Sequence, residues 1–489
     1  MSVPDVRNLP NLVAKDGRFG PLRGAEYSVQ EGKVAKNCAD KREVYIPFPF
    51  FLRRLCTMQA LSAESQGDQT MIPYSVYEAA LAAELLPAMG CTEPIALAYA
   101  AAICAKRLGG YPERIELDVS RNIVKNVKSV VVPNTGGLTG LEAAAVAGFV
   151  AAKPEAALEV LAAITPEERD RIRELVQTTP VEVRQSNEPD VFFIRVTGHL
   201  NGHSVSTVIR TSHTNVTRIE EDGKVVWEEG DRPEEEHPVE SWHVAELIEA
   251  ARVMPLDHVR PLLERQLRCN REIAEQGLSG EWGATIGRIL MARDPEDPAV
   301  RARAFAAAAS DARMNGCELP VVIVSGSGNQ GITASMPVLI YAEHLKKSEE
   351  ELLRALLLSD LVMVCLKQGI GKLSAYCGAV SAGAGSGAGI AYLLGFSTED
   401  IERVISNALA ITSGLICDGA KSSCASKIAM SVEGALLAID MVKNDRAFKG
   451  GDGIVKNDVD ATVAAVGRIA SRGMVGTDRE IINVMLETK

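Results

Sequence analysis

A chain of 489 residues, 46% of them hydrophobic, is long enough to form two or three domains with large buried cores. Its formal net charge of −12 argues against an extended surface for nucleic acid or an anionic membrane, and it favours a small-molecule partner. Ten cysteines spread over this length do not resemble a disulfide framework, and no secretory signal opens the chain, so we expect the reducing cytoplasm.

Residues 1–70 differ in composition from the rest of the chain. They are rich in aromatic side chains and show little helical or strand periodicity, whereas an amphipathic helical pattern at 76–86 follows soon after Met71. We interpret residues 1–70 as an N-terminal extension, with Met71 as a candidate for the natural start of the protein. The alternative is an ordered arm that covers a partner subunit, which makes the protein a homo-oligomer.

The segment after the extension is helical. Residues 74–108 follow a helical period, which is interrupted at 87–94 by a stretch with a proline at each end. We expect residues 71–112 to form N-terminal helices that pack on a larger helical domain.

Strand patterns dominate the next stretch, with two helices among them. Apolar and β-branched runs predict strands at 115–119, 129–132, 181–184, 192–197, 204–211 and 216–220. Helical patterns occur at 140–152 and 155–163. Together they predict a small α/β domain over residues 113–235.

From residue 236 to residue 489 the pattern is almost entirely helical, with one break at 321–330. The predicted fold class is therefore α+β, a mainly helical domain with a smaller α/β domain inserted after the first helices. The most membrane-like segment, 378–396, is only weakly apolar because it is rich in glycine and alanine, and such small residues also allow tight helix packing in a soluble core. We predict no membrane span.

Three cysteines, Cys377, Cys417 and Cys424, stand among glycine and serine residues in this helical half. In one unbroken helix the thiols of the last two would lie roughly 10 Å apart along the axis, so the helix must break between them, and Gly419 permits that break. Helix N-termini carry partial positive charge, which stabilises thiolates. The pattern indicates a metal site with three thiolate ligands.

Serine residues next to these thiols predict the helix starts. Ser422 or Ser423 can cap a helix over 424–438, and Ser374 can cap a helix over 378–394.

The break at 321–331 runs from an apolar strand into a glycine loop, followed by a helix predicted over 332–345. Exposed backbone N–H groups at such a turn suit a carboxylate or a phosphate. The spacing is neither that of a P-loop nor that of a dinucleotide fingerprint, so a purely structural turn is the alternative. The polar candidates in this loop are Ser325, Ser327, Asn329 and Gln330.

Cys91 lies in the proline-flanked break, where a reactive thiol can be placed near a helix N-terminus; a small buried core cysteine is the alternative. We interpret four other cysteines as core residues: Cys104, Cys269, Cys317 and Cys365. Asp311, Arg313 and the stretch 213–215 carry polar side chains in unusual places, for which surface positions are the alternative. Asp311 and Arg313 stand two apart on a helix and do not face each other, so each is expected to pair elsewhere.

Taken together, residues 86–94, 325–334 and 414–424 resemble the L-cysteine desulfidase family, over about residues 74–486. That family is related to the iron–sulfur L-serine dehydratases, whose catalytic domain is mainly helical. The resemblance implies that residues 236–489 form an iron–sulfur catalytic domain, with a [4Fe–4S] cluster held by Cys377, Cys417 and Cys424.

The same resemblance implies roles for the other two motifs. Cys91 is expected to be a catalytic acid–base or substrate-handling thiol, and the loop with Ser325, Ser327, Asn329 and Gln330 is expected to bind the substrate carboxylate. The expected activity is α,β-elimination of L-cysteine to hydrogen sulfide, pyruvate and ammonia.

Three thiolates leave one iron of a cubane without a cysteine ligand, so that iron can act as a Lewis acid on the leaving group, and pyridoxal phosphate is not needed. Three alternatives stay open: L-serine as the substrate, a non-catalytic iron–sulfur sensor, and a Zn²⁺ site.

Overall fold

The computed structural model describes residues 27–30, 33–36, 72–229, 242–371 and 373–487. Residues 1–68 form one unit, in which strand β1 (Tyr27–Gln30) pairs antiparallel with β2 (Lys33–Lys36). Cys38, Cys56 and the remainder of the predicted extension lie outside the described residues. Residues 69–489 form a second unit.

The first part of the second unit combines helices with a sheet. Its elements are α1 (Tyr74–Glu84), β3 (Pro87–Met89), α2 (Thr92–Leu108), β4 (Arg114–Val119), α3 (Arg121–Val127), α4 (Gly140–Ala151), a 3₁₀ helix (Pro154–Glu159), α5 (Pro166–Thr178), β5 (Val181–Gln185), β6 (Phe193–Leu200), β7 (His203–Arg210), β8 (Val216–Glu221) and β9 (Lys224–Glu228).

The second part is helical apart from one short strand. Its elements are α6 (Val244–Val253), α7 (Arg260–Ser279), α8 (Ile286–Met291), α9 (Pro298–Met314), β10 (Pro320–Val322), α10 (Gly328–His344), α11 (Glu349–Ile370), α12 (Gly378–Leu393), α13 (Thr398–Thr412), α14 (Cys424–Lys443), α15 (Val459–Arg468), a π-helical turn (Ile469–Gly473) and α16 (Val475–Glu487).

The sheet has the strand order β5–β4–β6–β7–β8–β9, in which only the β4–β5 pair is parallel. Alternate residues of β4 are fully buried, namely Ile115, Leu117 and Val119, because strand side chains point to opposite faces. Helix α2 packs against β6 and β7 and against α4. The sheet therefore buries one face under α2, as expected for an α+β fold.

Helix α2 also explains how the N-terminal segment is arranged. Strand β3 pairs with β10 of the helical part, whereas α2 itself packs on α4 and on the sheet. Its contact with α4 is so close that a Cβ at Gly148 would lie 2.1 Å from the backbone oxygen of Ala98. The segment predicted to pack on the helical domain is thus shared between that domain and the sheet.

Helix α12 forms the centre of the helical part and packs against α10, α11, α13 and α14. Its small residues allow these close contacts: a Cβ at Gly385 would lie 2.5 Å from the backbone oxygen of Ser359. Within the described part of the chain, no helix has both the length and the apolar character needed to cross a membrane.

The α+β fold class is confirmed. Five predicted strands are present with bounds that differ by at most three residues from those expected, at 115–119, 181–184, 192–197, 204–211 and 216–220. The strand predicted at 129–132 is wrong, because the chain there makes only an isolated bridge between Val131 and Thr139. The helix predicted at 155–163 is instead a 3₁₀ turn, which Ala157 interrupts with a φ of 46°.

Candidate functional site

Two of the three motifs are joined by a short β-pairing. Strand β3 runs antiparallel to β10, with Met89 opposite Pro320, and the N–H of Ile323 continues the ladder to the oxygen of Leu86 at 2.9 Å. Beyond the strands, the Thr92 hydroxyl donates to the backbone oxygen of Gly326 at 2.9 Å. The start of α2 and the glycine loop, 234 residues apart in sequence, therefore form one site.

Cys91 occupies the N-cap position of α2 and is only 2% exposed. Its Sγ donates to Oε2 of Glu93 at 3.0 Å. Burial, reinforced by the neighbouring Glu93 carboxylate, raises the pKa of Cys91 well above its ordinary value, while the Arg313 guanidinium opposes that shift. The thiol is buried, as in the core-cysteine alternative, but it is also bonded to a carboxylate.

The Glu93 carboxylate is held from several sides, although the side chain is buried. It accepts hydrogen bonds from the Cys91 thiol and from the Asn126 amide at 2.9 Å, and it shares the Thr92 hydroxyl proton, at 3.1 Å, with the backbone oxygen of Gly326. Burial alone raises its pKa, but His213 and the Cys91 thiol outweigh burial and bring the pKa of Glu93 down to about 2. Glu93 is therefore an ionised carboxylate in the interior.

His213 is buried beside this carboxylate, with its Nε2 4.0 Å from Oε1 of Glu93. That separation is too long for a hydrogen bond. Its ring packs edge-on against Phe192, and a Cβ at Gly326 would lie 2.8 Å from its Cε1. The surface alternative for His213 is therefore wrong, and its ring links Glu93 to the glycine loop.

Arg313 and Asp311 are also buried, so the surface alternative is wrong for both. The expectation that each pairs elsewhere holds for Asp311, whereas Nε of Arg313 has no hydrogen-bond partner among the described residues. Asp311 accepts the N–H of Gly287 at 3.0 Å, away from Cys91, and burial raises its pKa to about 6. Arg313 lies within electrostatic reach of Cys91, Glu93 and Cys424, and burial lowers its pKa.

The helix that follows the glycine loop begins earlier than predicted. Helix α10 begins at Gly328 rather than at residue 332, with Ser327 in the N-cap position and Ser325 in the left-handed region at a φ of 47°. Asn329 and Gln330 therefore lie in the first helical turn. Among the described residues, neither Oδ1 of Asn329 nor Oε1 of Gln330 has a hydrogen-bond partner, although both atoms are buried. Such buried acceptors are typical of a site that a ligand completes.

The three predicted metal ligands are brought together by a second backbone contact. Tyr376 and Ile416 form an isolated antiparallel bridge. On either side of it, the N–H of Cys377 donates to Leu415 at 3.1 Å, and the N–H of Cys417 donates to Ala375 at 2.6 Å. We call Cys377, Cys417 and Cys424 the three-cysteine group.

The predicted helix break between Cys417 and Cys424 is present, and Gly419 adopts a φ of +92° there. Cys424 is the first residue of α14, and Cys377 is the N-cap residue of α12. The helix starts are therefore as expected, but the predicted serine caps are wrong.

The serine hydroxyls bond elsewhere. Ser374 donates to Ala470 at 2.9 Å, and Ser422 donates to Asn315 at 2.8 Å. Ser423 occupies the N-cap position of α14 without a capping bond from its side chain to any described residue. No serine hydroxyl caps the start of α12 or of α14. Because Cys377 and Cys424 stand at these two helix starts, the positive ends of both helices lie beside the three-cysteine group.

Burial and the neighbouring thiols raise the pKa values of two cysteines in this group. Burial, then Cys417 and then Cys424 raise the pKa of Cys377 to about 12, and burial together with Cys417 raises the pKa of Cys424. Lys427 bonds to Asp418 and also lies within electrostatic reach of Cys377 and Cys424. A cationic cofactor centre is what would hold such buried thiols as thiolates.

The chemistry of the donor set, three thiols, fits an iron–sulfur cluster. Across the described ranges, no three His, Cys, Asp or Glu side chains are arranged around one metal position, which is the arrangement that Zn²⁺ requires. A cubane presents a different iron to each thiolate, so its ligands surround it without meeting at one point. Three neighbouring thiols beside two helix N-termini and a lysine suit that geometry.

The glycine loop borders this group. A Cβ at Gly378 would lie 2.6 Å from Oε1 of Gln330, so the starts of α10 and α12 are in contact. On the other side, Cys91 packs with Val130 and Met314 in a small buried cluster that Cys424 also contacts. The structure therefore gathers Cys91, the glycine loop and the three-cysteine group into one site.

Comparison with known proteins agrees with this arrangement. Residues 155–483 match the family model described as serine dehydratase alpha chain. The chain belongs to this family. The matched range contains the glycine loop and the three-cysteine group, whereas Cys91 and Glu93 precede it.

Individual relatives match over most of the chain. A UPF0597 protein of Desulfitobacterium hafniense is 46% identical, covering 84% of this chain and 97% of the relative. UPF0597 proteins of Lachnoclostridium phytofermentans and Treponema denticola are 44% and 41% identical, covering 83% and 84% of this chain and 98% and 97% of the relatives. The likeness indicates a serine dehydratase-like enzyme of the lyase type, in a family linked to iron–sulfur chemistry.

The other predicted core cysteines are buried and free: Cys104, Cys269, Cys317 and Cys365. The Cys104 thiol, for example, donates to the Thr207 hydroxyl at 3.2 Å, inside the contact between α2 and the sheet. Their interpretation as core residues is confirmed.

Proposed function

We propose that this protein is an iron–sulfur-dependent lyase that converts L-cysteine to hydrogen sulfide, pyruvate and ammonia by α,β-elimination. The observation that carries the proposal is the position of the Cys91 thiol. It lies between an ionised carboxylate, Glu93, and the three-cysteine group, in the buried cluster that Cys424 contacts. A proton-transferring group and the candidate cluster ligands thus share one enclosed site.

The residues that would hold the cluster are Cys377, Cys417 and Cys424, as a [4Fe–4S] centre with one iron free of cysteine. When bound, this centre supplies a Lewis acid toward the leaving sulfur of the substrate.

The protein's own contribution is proton transfer and substrate orientation. Cys91 Sγ is the atom that exchanges a proton with the substrate, and Oε2 of Glu93, 3.0 Å away, accepts a hydrogen bond from this thiol and so holds it in place. Thr92 and Asn126 fix the carboxylate of Glu93 in this orientation. Over the reaction the Cα–H and Cβ–S bonds break, sulfide departs, and the aminoacrylate product tautomerises and hydrolyses to pyruvate and ammonia.

The glycine loop supplies the rest of the binding site. The first turn of α10 begins at Gly328 and includes Asn329 and Gln330, and its backbone N–H groups suit the carboxylate of an amino acid. Ser325 and Ser327 precede this turn and are proposed to border the same carboxylate. Because the loop packs against His213 and Gln330 packs against Gly378, these residues are shielded from solvent.

L-Serine is the second candidate substrate, and the match to the serine dehydratase alpha chain model favours it. The motif at 86–94, with its buried Cys91, is what favours cysteine. The same elimination applies to both amino acids, except that hydroxide rather than sulfide departs from the β-carbon.

The test is anaerobic reconstitution with iron and sulfide, followed by assays of iron, released sulfide and pyruvate with each amino acid. We expect about four irons per chain, and equal amounts of sulfide and pyruvate from L-cysteine. Faster pyruvate release from L-serine than from L-cysteine at equal concentration would make serine the substrate. Bound cluster without turnover of either amino acid would replace the lyase by a sensor.

A further inference from the structure

We propose that Arg313 binds the α-carboxylate of the substrate and so makes the site specific for amino acids. This inference deepens the proposed function and rests on it. The sequence predicts no role for Arg313 and places the carboxylate on the glycine loop alone.

The first observation is an unused hydrogen-bond donor in the interior. Arg313 lies in the last turn of α9 and is 3% exposed. Its Nε is buried and makes no hydrogen bond within the described part of the chain. A guanidinium taken out of water is costly unless an acceptor pairs with it, so such a donor indicates that a ligand supplies the acceptor.

The second observation is where the guanidinium lies. A Cβ at Gly328 would be 2.4 Å from Nε and 2.8 Å from Cζ of Arg313, so the guanidinium rests directly on the first residue of α10. The positive end of that helix and the charge of Arg313 therefore act on the same place. A carboxylate there gains both backbone N–H groups and a charge-assisted bond.

The competing explanation is that Arg313 only neutralises Glu93. The Glu93 carboxylate, however, already accepts bonds from Cys91, Thr92 and Asn126. Its low pKa is supported by His213 and Cys91 against the effect of burial. Glu93 is thus satisfied by its own neighbours, and Nε of Arg313 remains available for a ligand.

Two thiol compounds separate the roles of carboxylate and amine. 3-Mercaptopropionate carries the carboxylate of cysteine without its amine, and cysteamine carries the amine without the carboxylate. We would measure their dissociation constants by calorimetry with the anaerobically reconstituted wild-type protein, Arg313→Gln and Arg313→Lys. Arg303→Gln is the matched control, because Arg303 lies on the same helix and pairs with Glu433 at 2.7 Å.

For Arg313→Gln we expect 3-mercaptopropionate to bind about 10- to 100-fold more weakly, as for loss of a hydrogen bond to a charged group. Cysteamine should bind within about twofold of wild type in every variant. Arg313→Lys should lose part of the affinity for 3-mercaptopropionate, because lysine keeps the charge but not the planar fork. Arg303→Gln should bind both compounds as the wild type does.

Equal weakening of both compounds in a folded Arg313→Gln protein would show a structural role and overturn the proposal. Unchanged binding of 3-mercaptopropionate, or no binding of it to the wild type, would overturn it as well. If Arg313→Gln does not fold, the test uses Arg313→Lys alone. Wild-type affinity of Arg313→Lys for 3-mercaptopropionate would contradict a carboxylate site that needs the planar guanidinium. Failure of the proposed lyase is recorded separately, as absence of pyruvate from both amino acids.

Discussion

The Cys91 thiol donates to the Glu93 carboxylate across 3.0 Å, and both side chains are buried at the start of α2. Cys91 is the N-cap residue and Glu93 stands two positions later, in the first helical turn. The helix N-terminus favours negative charge, and the Asn126 amide and the Thr92 hydroxyl fix the carboxylate. Glu93 therefore orients the thiol by accepting its hydrogen bond.

Replacing Glu93 by glutamine tests this relationship. Because Glu93→Gln keeps the shape but removes the charge that accepts the hydrogen bond of Cys91, we expect kcat to fall by about 10- to 100-fold, with KM for L-cysteine nearly unchanged. The measurement is steady-state kinetics together with the iron content of each protein. Glu142→Gln is the control, since Glu142 also stands in a first helical turn but is exposed, and we expect it to behave as the wild type.

Equal losses of iron and activity in Glu93→Gln would show instead that Glu93 supports the structure around the cluster. A raised KM with wild-type kcat would move its role from orienting the thiol to binding the substrate.

The same residue predicts a pH dependence of stability. The pKa of Glu93 is about 2 in the folded protein, below its ordinary value of 4.5, so the ionised form stabilises the folded state. This contribution is present above pH 4.5 and is lost as the pH falls toward 2. A shift of that size corresponds to about 3 kcal/mol.

We would measure the free energy of unfolding by chemical denaturation from pH 2 to pH 7, using iron-free wild type and iron-free Glu93→Gln. The difference between the two proteins should be constant above pH 5 and should shrink as the pH falls from 4.5. A difference that is independent of pH would contradict an ionised, stabilising Glu93.

Features of this site that depend on residues close together in the sequence can be predicted from it, whereas features that depend on contacts between distant residues cannot. The helix break at Gly419 and the positions of Cys377 and Cys424 at helix starts follow from local residue preferences, and they were predicted correctly. The role of Glu93 had a local signal as well, since it lies two residues after Cys91 at a proline-marked helix start. That signal was overlooked.

The contributions of Asn126, His213 and Arg313 could not be predicted in this way. Each comes from a different element, and the contact between Thr92 and Gly326 that brings them together spans 234 residues. The β3–β10 pairing that creates it involves strands of three residues, which are too short to show a strand period. The serine caps were mispredicted for a related reason, because distant acceptors at Ala470 and Asn315 compete for the hydroxyls.

Serine substitutions separate cluster ligands from the catalytic thiol. Replacing Cys377, Cys417 or Cys424 by serine should abolish the visible cluster absorbance and reduce pyruvate formation by at least about 1000-fold, because a thiolate ligand is lost. Cys91→Ser should lose activity to a similar degree but keep its iron. Cys365→Ser, at a buried core cysteine, is the control and should keep both.

Iron content and absorbance after anaerobic reconstitution measure the first effect, and pyruvate release measures the second. Turnover by a Cys417→Ser protein that lacks iron would rule out the cluster mechanism. Loss of iron in Cys91→Ser would make Cys91 a fourth ligand rather than a catalytic group.

The loop between Cys417 and Cys424 depends on the backbone of Gly419. Its φ is +92°, and a Cβ there would lie 2.6 Å from the backbone oxygen of Lys125, which cannot move aside as a flexible side chain could. Gly419→Ala should therefore displace the loop and Cys424 with it, at a cost of about 1–3 kcal/mol.

Gly414→Ala is the matched control in the same segment, because no atom of the described residues lies within 4 Å of a Cβ built there. The measurement is the rate at which an iron chelator removes the cluster under anaerobic conditions. We expect Gly419→Ala to lose its cluster about 5- to 100-fold faster than wild type, in line with the energy above, and Gly414→Ala to lose it at the wild-type rate. If both variants retained the cluster equally well, the geometry of this loop would not be what holds Cys424 beside its two partners.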